Sequence, residues 1–565
     1  MKRTTLITLL LTAANIFASN SGSNNGKISK DLIQSTDPEV DIITMHADDD
    51  DDNSQQDRES KVIAKGGTNY KHFSNIRSST LRVNRALLEE LGKDAKIRHI
   101  APDRTISASA AGSEPYDQTK VRSILGLKSS TSQTGSGVGV AVIDSGVNML
   151  AGFGTTGSCS TSRVVYSENF ASDAGTNDLF GHGTHVASIL GSNAACDAFY
   201  STSSAPGVKI INLRVLNAHG AGSDSRVIAA IDRAIALKST YNIRVMNLSL
   251  GRPVFETYTV DPLCQAVERA WKAGIVVVVA AGNMGRYPIT NGYATIASPG
   301  NDPFVITVGA VRDPINGLTT SRNDDTITSY SSKGPTILDH VAKPDLVAPG
   351  NLMIARTAFP STLSLMFPAN KVQFTNVSGS YLKLSGTSMA SPLVAAAAAL
   401  LIQKDSTLTA DQVKARLMKT AWKGMAATVS IYDALTNTIF NAQQDMFTIG
   451  AGYLDISAAL SSTEKIGATQ SAISPRAVQQ GANVVLANNY PEQPGLNIAW
   501  GSNVVWGDSA VWGSNVLLAN NVVWGDSVVW GANVSAGYNV VWGDNVVWGD
   551  SCKPFSIGLS GVGDN

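Results

Sequence analysis

The chain has 565 residues, a formal charge of −1 and a sequence pI near 6.7. That length exceeds one ordinary domain, predicts three or four segments and leaves ample chain for a large core. The near-zero charge provides no basic field, so nucleic acid is excluded as an expected partner and no polybasic membrane patch is expected.

At the start, Met1-Lys2-Arg3 precedes an apolar stretch from Leu6 to Phe17 and the small-residue exit Ala18-Ser19-Asn20. A charged n-region, short h-region and small exit form the pattern of a secretory signal, which places the signal at 1–18 and the protein outside the cell. The stretch is shorter than the roughly 18 residues needed to span a membrane. From 19 to 59 the sequence is polar and includes the run Asp48 to Asp52. Its composition predicts a disordered acidic segment.

From 60 to 110 the pattern changes. Lys61-Val62-Ile63-Ala64 reads as a strand, Thr80 to Leu91 as a helix and Ile97 to Ile100 as a second strand, so a small α+β unit is expected. The polar stretch Ser107 to Glu114 then separates it from a block, 111–462, in which short apolar runs alternate with helical patterns. Candidate strands are Gly139 to Ile143, Val208 to Val215, Arg244 to Ser249, Ile275 to Ala280 and Val305 to Val311. Candidate helices are His182 to Leu190, Ser225 to Leu237 and Pro262 to Ala273, with a further Ala-rich buried helix over Leu393 to Leu401. Apolar strands separated by crossover helices predict a mainly parallel α/β sheet covered on both faces, with functional groups at the carboxyl ends of its strands.

Several polar residues fall at those ends. Asp144 closes the strand Val140-Ala141-Val142-Ile143, where a carboxylate can be dry enough to orient another group. His182 opens a helix between glycines, in Gly181-His182-Gly183-Thr184-His185, and an imidazole there can accept and return a proton near neutral pH. His182 and His185 as two metal ligands is the competing reading, weakened by the missing HExxH spacing and third ligand. Asn283 follows the apolar run Val277 to Ala280, and its amide can donate to an oxyanion. Ser388, in Gly386-Thr387-Ser388-Met389-Ala390-Ser391-Pro392, sits at a helix mouth, where unpaired N–H groups favour developing negative charge. The order Asp, His, Asn, Ser differs from that of the α/β-hydrolases and of the chymotrypsin-type proteases.

These segments resemble those of the subtilisin-like serine proteases (subtilases, peptidase S8), with Gly181 to Ala187 and Gly386 to Pro392 the most specific. The resemblance covers roughly Val121 to Leu460 and also takes in Asn247 to Gly251, Lys343 to Gly350 and Gly452 to Asp455. It implies Ser388 as nucleophile, His182 as general base and acid, Asp144 as the orienting carboxylate, and Asn283 with the Ser388 N–H as oxyanion hole. It further implies a substrate cleft along Ser249, Leu250 and Gly251, with Ala280, Ala281 and Gly282 in the pocket for the residue before the cut. Protein or peptide substrates would add as a strand, by an acyl-enzyme route that needs no cofactor. The 60–110 unit would be the chain's own inhibitory propeptide, removed by a cut between Arg104 and Tyr116. Structural calcium is common in relatives, but no ligand run here assigns it.

Beyond 462 the resemblance stops. In the C-terminal extension, 463–565, a six-residue period places Trp at 500, 506, 512, 524, 530, 542 and 548, with Leu518 and Ala536 in the same register. The two exceptions are 18 residues apart, which suggests three hexads per coil of a β-solenoid. An aggregation-prone adhesive segment, and a row of tryptophans that binds a cell surface or polysaccharide, are the competing readings. Of four cysteines, Cys159 and Cys196 lie in loops flanking His182 and form the preferred disulfide, Cys264 reads as apolar filler, and Cys552 stands alone. The alternative to a protease is an idle surface-binding protein on the same scaffold.

Overall fold

The computed structural model describes residues 26–108, 118–127, 132–155, 158–193, 203–287, 290–313, 321–373, 379–426, 428–433, 438–480, 483–487, 490–493, 497, 523–524 and 541–542. The expected signal at 1–18 and most of the hexad repeat lie outside the described residues. The chain divides into two compact units, Met1–Asp103 and Arg104–Asn565.

The described part of the small unit runs α1 (Lys30–Gln34), β1 (Glu39–His46), α2 (Asp52–Ala64), β2 (Thr68–Phe73), β3 (Ser78–Asn84), α3 (Arg85–Lys93) and β4 (Ile97–Pro102). Its sheet is antiparallel, in the order β2-β3-β1-β4. Ile28, Leu32, Val40, Ile42, Val62, Leu81, Val83, Leu87, Leu88, Leu91, Ile97 and Ile100 form one apolar cluster.

Three expectations are corrected here. The segment 19–59 is not disordered throughout: Ile28, Leu32, Val40 and Ile42 supply core, which the average composition hides. Its aspartates have structural partners: Asp51 caps α2 by accepting from the Ser54 N–H at 2.9 Å, Asp50 pairs with Arg58 at 3.0 Å, and Asp49 pairs with Lys96 at 2.7 Å. Lys61 to Ala64 ends helix α2 rather than forming a strand, with Val62 turned into the core. Thr80 to Leu91 is not one helix, because Asn84 ends β3 and caps α3, its side chain accepting from the Leu87 N–H at 3.0 Å.

The large unit is built on β5 (Thr105–Ala108), β6 (Gly139–Asp144), β7 (Val164–Asn169), α4 (His182–Gly191), β8 (Lys209–Arg214), β9 (Ala221–Ser223), α5 (Asp224–Ala236), β10 (Ile243–Leu248), β11 (Leu250–Gly251), α6 (Pro262–Lys272), β12 (Val276–Ala280), β13 (Ile306–Arg312), β14 (Thr326–Ile327), β15 (Leu346–Pro349) and α7 (Thr387–Lys404). The main sheet has the order β14-β13-β12-β10-β6-β8-β7, with β15 also on β13. Every pairing among these is parallel except β13 with β14. Each residue of β6, β12 and β13 is buried, as a sheet covered on both faces requires. The Ala-rich α7 packs on β12, β13 and α4, while α5 packs on α6. Small side chains allow α7 to lie close to the strands.

The boundaries also shift. The 60–110 unit begins earlier, at Ile28 at the latest, and ends at Asp103; Arg104 to Ala108 belong with the large unit. The large unit's packing continues past 462: Ala472, Ile473 and Ser474 are fully buried, and Tyr490 is 6% exposed. Cys159 is disulfide-bonded, and its preferred partner Cys196 lies outside the described residues; Cys264 is buried and free. Among the described residues no helix is long and apolar enough to cross a membrane.

Candidate active site

The carboxyl ends of β6, β10 and β12 meet the starts of α4 and α7. Asp144 ends β6, and its Oδ1 lies 2.8 Å from Nδ1 of His182, the first residue of α4. The two side chains are 1% and 0% exposed. A carboxylate at Nδ1 selects the tautomer that leaves Nε2 as the basic nitrogen. Close approach depends on Gly183, where a Cβ would stand 2.2 Å from the Gly146 carbonyl oxygen and 3.1 Å from Asp144 Cβ.

A second carboxylate, Asp178, holds this helix start. It accepts from the backbone N–H groups of Gly181 at 2.6 Å and Thr184 at 2.8 Å, and from the Ser145 hydroxyl at 2.8 Å. Ser145 Oγ in turn accepts from the Gly183 N–H at 2.9 Å. Burial pushes the Asp178 carboxyl up from its ordinary value, against these bonds. Sequence reading passed over Asp178, although an aspartate just before a helix start is a capping signal.

Ser388 is the second residue of the 18-residue helix α7. Its Oγ donates to the Ser249 carbonyl at 3.0 Å, while Ser249 Oγ donates back to the Ser388 carbonyl at 2.9 Å. Ser249 Oγ also accepts from Asn247 Nδ2 at 2.9 Å and lies 2.8 Å from Ser391 Oγ. Ser249 therefore anchors the turn that carries Ser388. Asn283 Oδ1 accepts from both the N–H and the hydroxyl of Thr387, each at 3.0 Å, so the amide is oriented with Nδ2 as its donor end. Thr387 Oγ1 accepts from the Gly282 N–H at 3.1 Å, tying the two loops together.

Beside Ser388 a pocket is lined by Ser107, Leu250, Gly251, Ala280, Gly282, Ala297 and Thr387. Four expected cleft residues stand in this lining. Ser249 and Ala281 do not: Ala281 is fully buried, donating its N–H to the Val308 carbonyl at 2.9 Å. Ala297 and Thr387 are additions, and nothing in the local sequence marks Ala297. His185 does not join His182 at a metal: its Nε2 lies 3.1 and 3.0 Å from the Met353 and Leu382 carbonyls, and burial lowers its pKa to about 3. Among the described residues no group of three or more His, Cys, Asp or Glu could hold a metal ion.

The expected cleft segment at Leu250 and Gly251 is paired with a strand of the chain itself. Strand β5 lies between β9 and β11, antiparallel to both, with Ser107 opposite Ala221 and Gly251, and Ala108 opposite Leu250. Its direction carries the chain from Gly251 toward Ser249 and the nucleophile.

A buried Asp–His pair, a serine at a helix mouth and a strand-binding cleft, set at the carboxyl ends of a mostly parallel sheet, define a serine-nucleophile hydrolase of the protease type. The subtilase family matches residues 135–452, and the chain belongs to it. It is 36% identical over 313 residues to Serine protease AprX of Bacillus subtilis, covering 53% of this chain and 65% of AprX. To Subtilisin E of Bacillus subtilis it is 31% identical over 361 residues, covering 64% and 79%. The solved structure of fervidolysin from Fervidobacterium pennivorans, a keratinolytic enzyme related to subtilisin, shares the fold at a TM-score of 0.54 and 20% identity, covering 75% of this chain and 61% of that one. The chain thus spans just under two thirds of AprX and of fervidolysin.

Proposed function

We propose that the chain is a subtilisin-type serine endopeptidase, exported as a zymogen and processed by its own active site. The observation that carries this reading is the 2.8 Å Asp144–His182 contact at the start of α4, with Ser388 at the mouth of α7, where its Oγ donates to the Ser249 carbonyl. Ser388 Oγ attacks the peptide carbonyl while His182 Nε2 takes its proton. Asn283 Nδ2 and the Ser388 N–H bind the oxyanion of the tetrahedral intermediate. His182 passes the proton to the leaving amine, giving an acyl-enzyme that water hydrolyses by the reverse proton route. Asp144 keeps the tautomer and stabilises the imidazolium. Substrate lies along Leu250 and Gly251, with the residue before the cut in the Ala280, Gly282 and Ala297 pocket.

The small unit is the inhibitory propeptide in this reading. The position of β5 supports it and narrows the cut: residues on the acyl side of a scissile bond occupy the cleft, so cleavage falls after Ala108 and before Tyr116. Mass spectrometry of the secreted Ser388→Ala chain finds the small unit attached, whereas the parent chain loses it. A fluorophosphonate label that is lost in Ser388→Ala, together with peptide-bond cleavage, tests the chemistry. A mature chain that takes no label refutes it. The idle-scaffold alternative has no relative here to support it.

For the extension we propose a solenoid that attaches the enzyme to a cell surface or polysaccharide. Within the repeat, the described strands β16 (Val523–Trp524) and β17 (Val541–Trp542) pair in parallel with an offset of 18 residues, the interval of three hexads. Truncation after Gln493 then frees a soluble, active enzyme.

A further inference from the structure

The residue just ahead of β5 is held as firmly as the strand. The Arg104 carbonyl accepts from the Asp224 N–H at 2.8 Å, continuing the β5–β9 ladder. Its guanidinium Nη1 bonds Glu256 Oε2 at 2.8 Å, with both side chains under a tenth exposed, and stands 5.1 Å from the centre of the Phe255 ring. Phe255 is 52% exposed, so it forms the solvent edge of this contact.

Behind Glu256 is a fixed charge assembly. Arg252 bonds Asp224 Oδ2 at 2.9 Å and Asp261 Oδ1 at 2.8 Å, and all three side chains are 1% exposed or less. Arg252 lies between the Asp224 and Asp261 carboxyls, while Glu256 bonds Arg104. Burial drives the Asp224 carboxyl up to about 7 against the pull of Arg252 and, more weakly, Arg104. Arg104 therefore brings a second positive charge to this group of buried carboxyls. It does so from a strand that is added to the cleft and that, on the reading above, leaves it. Ile106, two residues further on, is 1% exposed.

We propose that Glu256 and Phe255, backed by Asp224, form an outer subsite for a basic side chain of the substrate, two residues upstream of a buried aliphatic residue. Arg104 is its intramolecular occupant. After release of β5 the enzyme prefers extended peptides of the pattern basic–any–aliphatic–small–small on the acyl side of the cut. A buried, charge-assisted bond with an aromatic lid discriminates far more than an exposed ion pair.

This rests on the endopeptidase reading, and the test separates the two. The autoprocessed enzyme is given paired quenched peptides differing only in Arg or Gln at that position, and kcat/KM is measured. The expected ratio is about tenfold or more in favour of Arg, the size of a charge-assisted bond. Glu256→Gln brings the ratio toward one, and Glu256→Lys turns the preference toward a Glu-containing peptide. Equal cleavage of the pair by the parent enzyme, or an unchanged ratio in Glu256→Gln, overturns the subsite and leaves the protease reading standing. Cleavage of neither peptide overturns the protease reading beneath it. In the full chain, Arg104→Gln and Glu256→Gln slow autoprocessing non-additively; strictly additive effects count against the pairing.

Discussion

In the small unit His46, Asp50 and Glu59 are buried in contact with other ionisable side chains, whereas the turn that carries Ser388 is held by backbone groups, hydroxyls and amides. His72 lies between Glu59 at 2.7 Å and Asp52 at 2.8 Å, and those bonds raise its pKa to about 9. His46 is buried beside Arg58 and Asp50, and burial with the Arg58 charge lowers its pKa to about 4. At the nucleophile, Asp178, Ser249 and Asn283 instead engage main-chain groups or neighbouring hydroxyls, whose positions follow from the sheet and helix ends. A small unit buries a smaller fraction of its surface and leans on interactions that pH can remove. The turn that carries Ser388 is kept in place without them, although the Asp144–His182 pair is itself ionisable.

The comparison breaks first at the nucleophile. Ser388→Ala is expected to lower peptide cleavage by at least about 10⁴ while leaving the fold intact, read by turnover and circular dichroism. Asn283→Ala follows, with kcat down about 10²–10³, a range measured on a subtilisin rather than obtained from this geometry. Asp178→Asn tests whether main-chain anchoring matters at α4: cleavage falls by roughly tenfold through a misplaced His182, and the lower pKa of the kcat/KM profile moves, which simple destabilisation would not do.

The smallest effect sharpens the contrast. His72 binds its proton more tightly when folded, so its contribution is complete below about 6.5 and fades as pH rises toward 9. His46 is the opposite case: its contribution is complete above about 6.5 and is lost as pH falls toward 4. Protection factors for amide exchange in β1 to β4 of the Ser388→Ala chain should therefore peak near pH 6.5, and Glu59→Gln should flatten the alkaline flank. Flat profiles over pH 4 to 9 would remove the proposed difference between the units.

Much of the large unit was legible because its elements announce themselves locally. Apolar runs ending in Asp144 or preceding Asn283, and glycines around His182, need little context to be read as strand ends and a helix start. The small unit was misread for the opposite reason. Asp48 to Asp52 looks like a solvated run until Ser54, Arg58 and Lys96 are brought alongside, and Thr80 to Leu91 looks helical until Asn84 is seen to cap a shorter helix after a strand.

By itself, then, the sequence determined the parallel α/β architecture and the chain order Asp144, His182, Asn283 and Ser388. These depend on residue type and short-range periodicity, which survive in one dimension. Only the tertiary structure decided that Asp178 anchors α4, that Thr387 orients Asn283, that β5 fills the cleft and that Arg104 meets Glu256 across 152 positions of chain. Such contacts join residues distant in sequence, and their energies come from burial and geometry that exist only once the sheet has assembled.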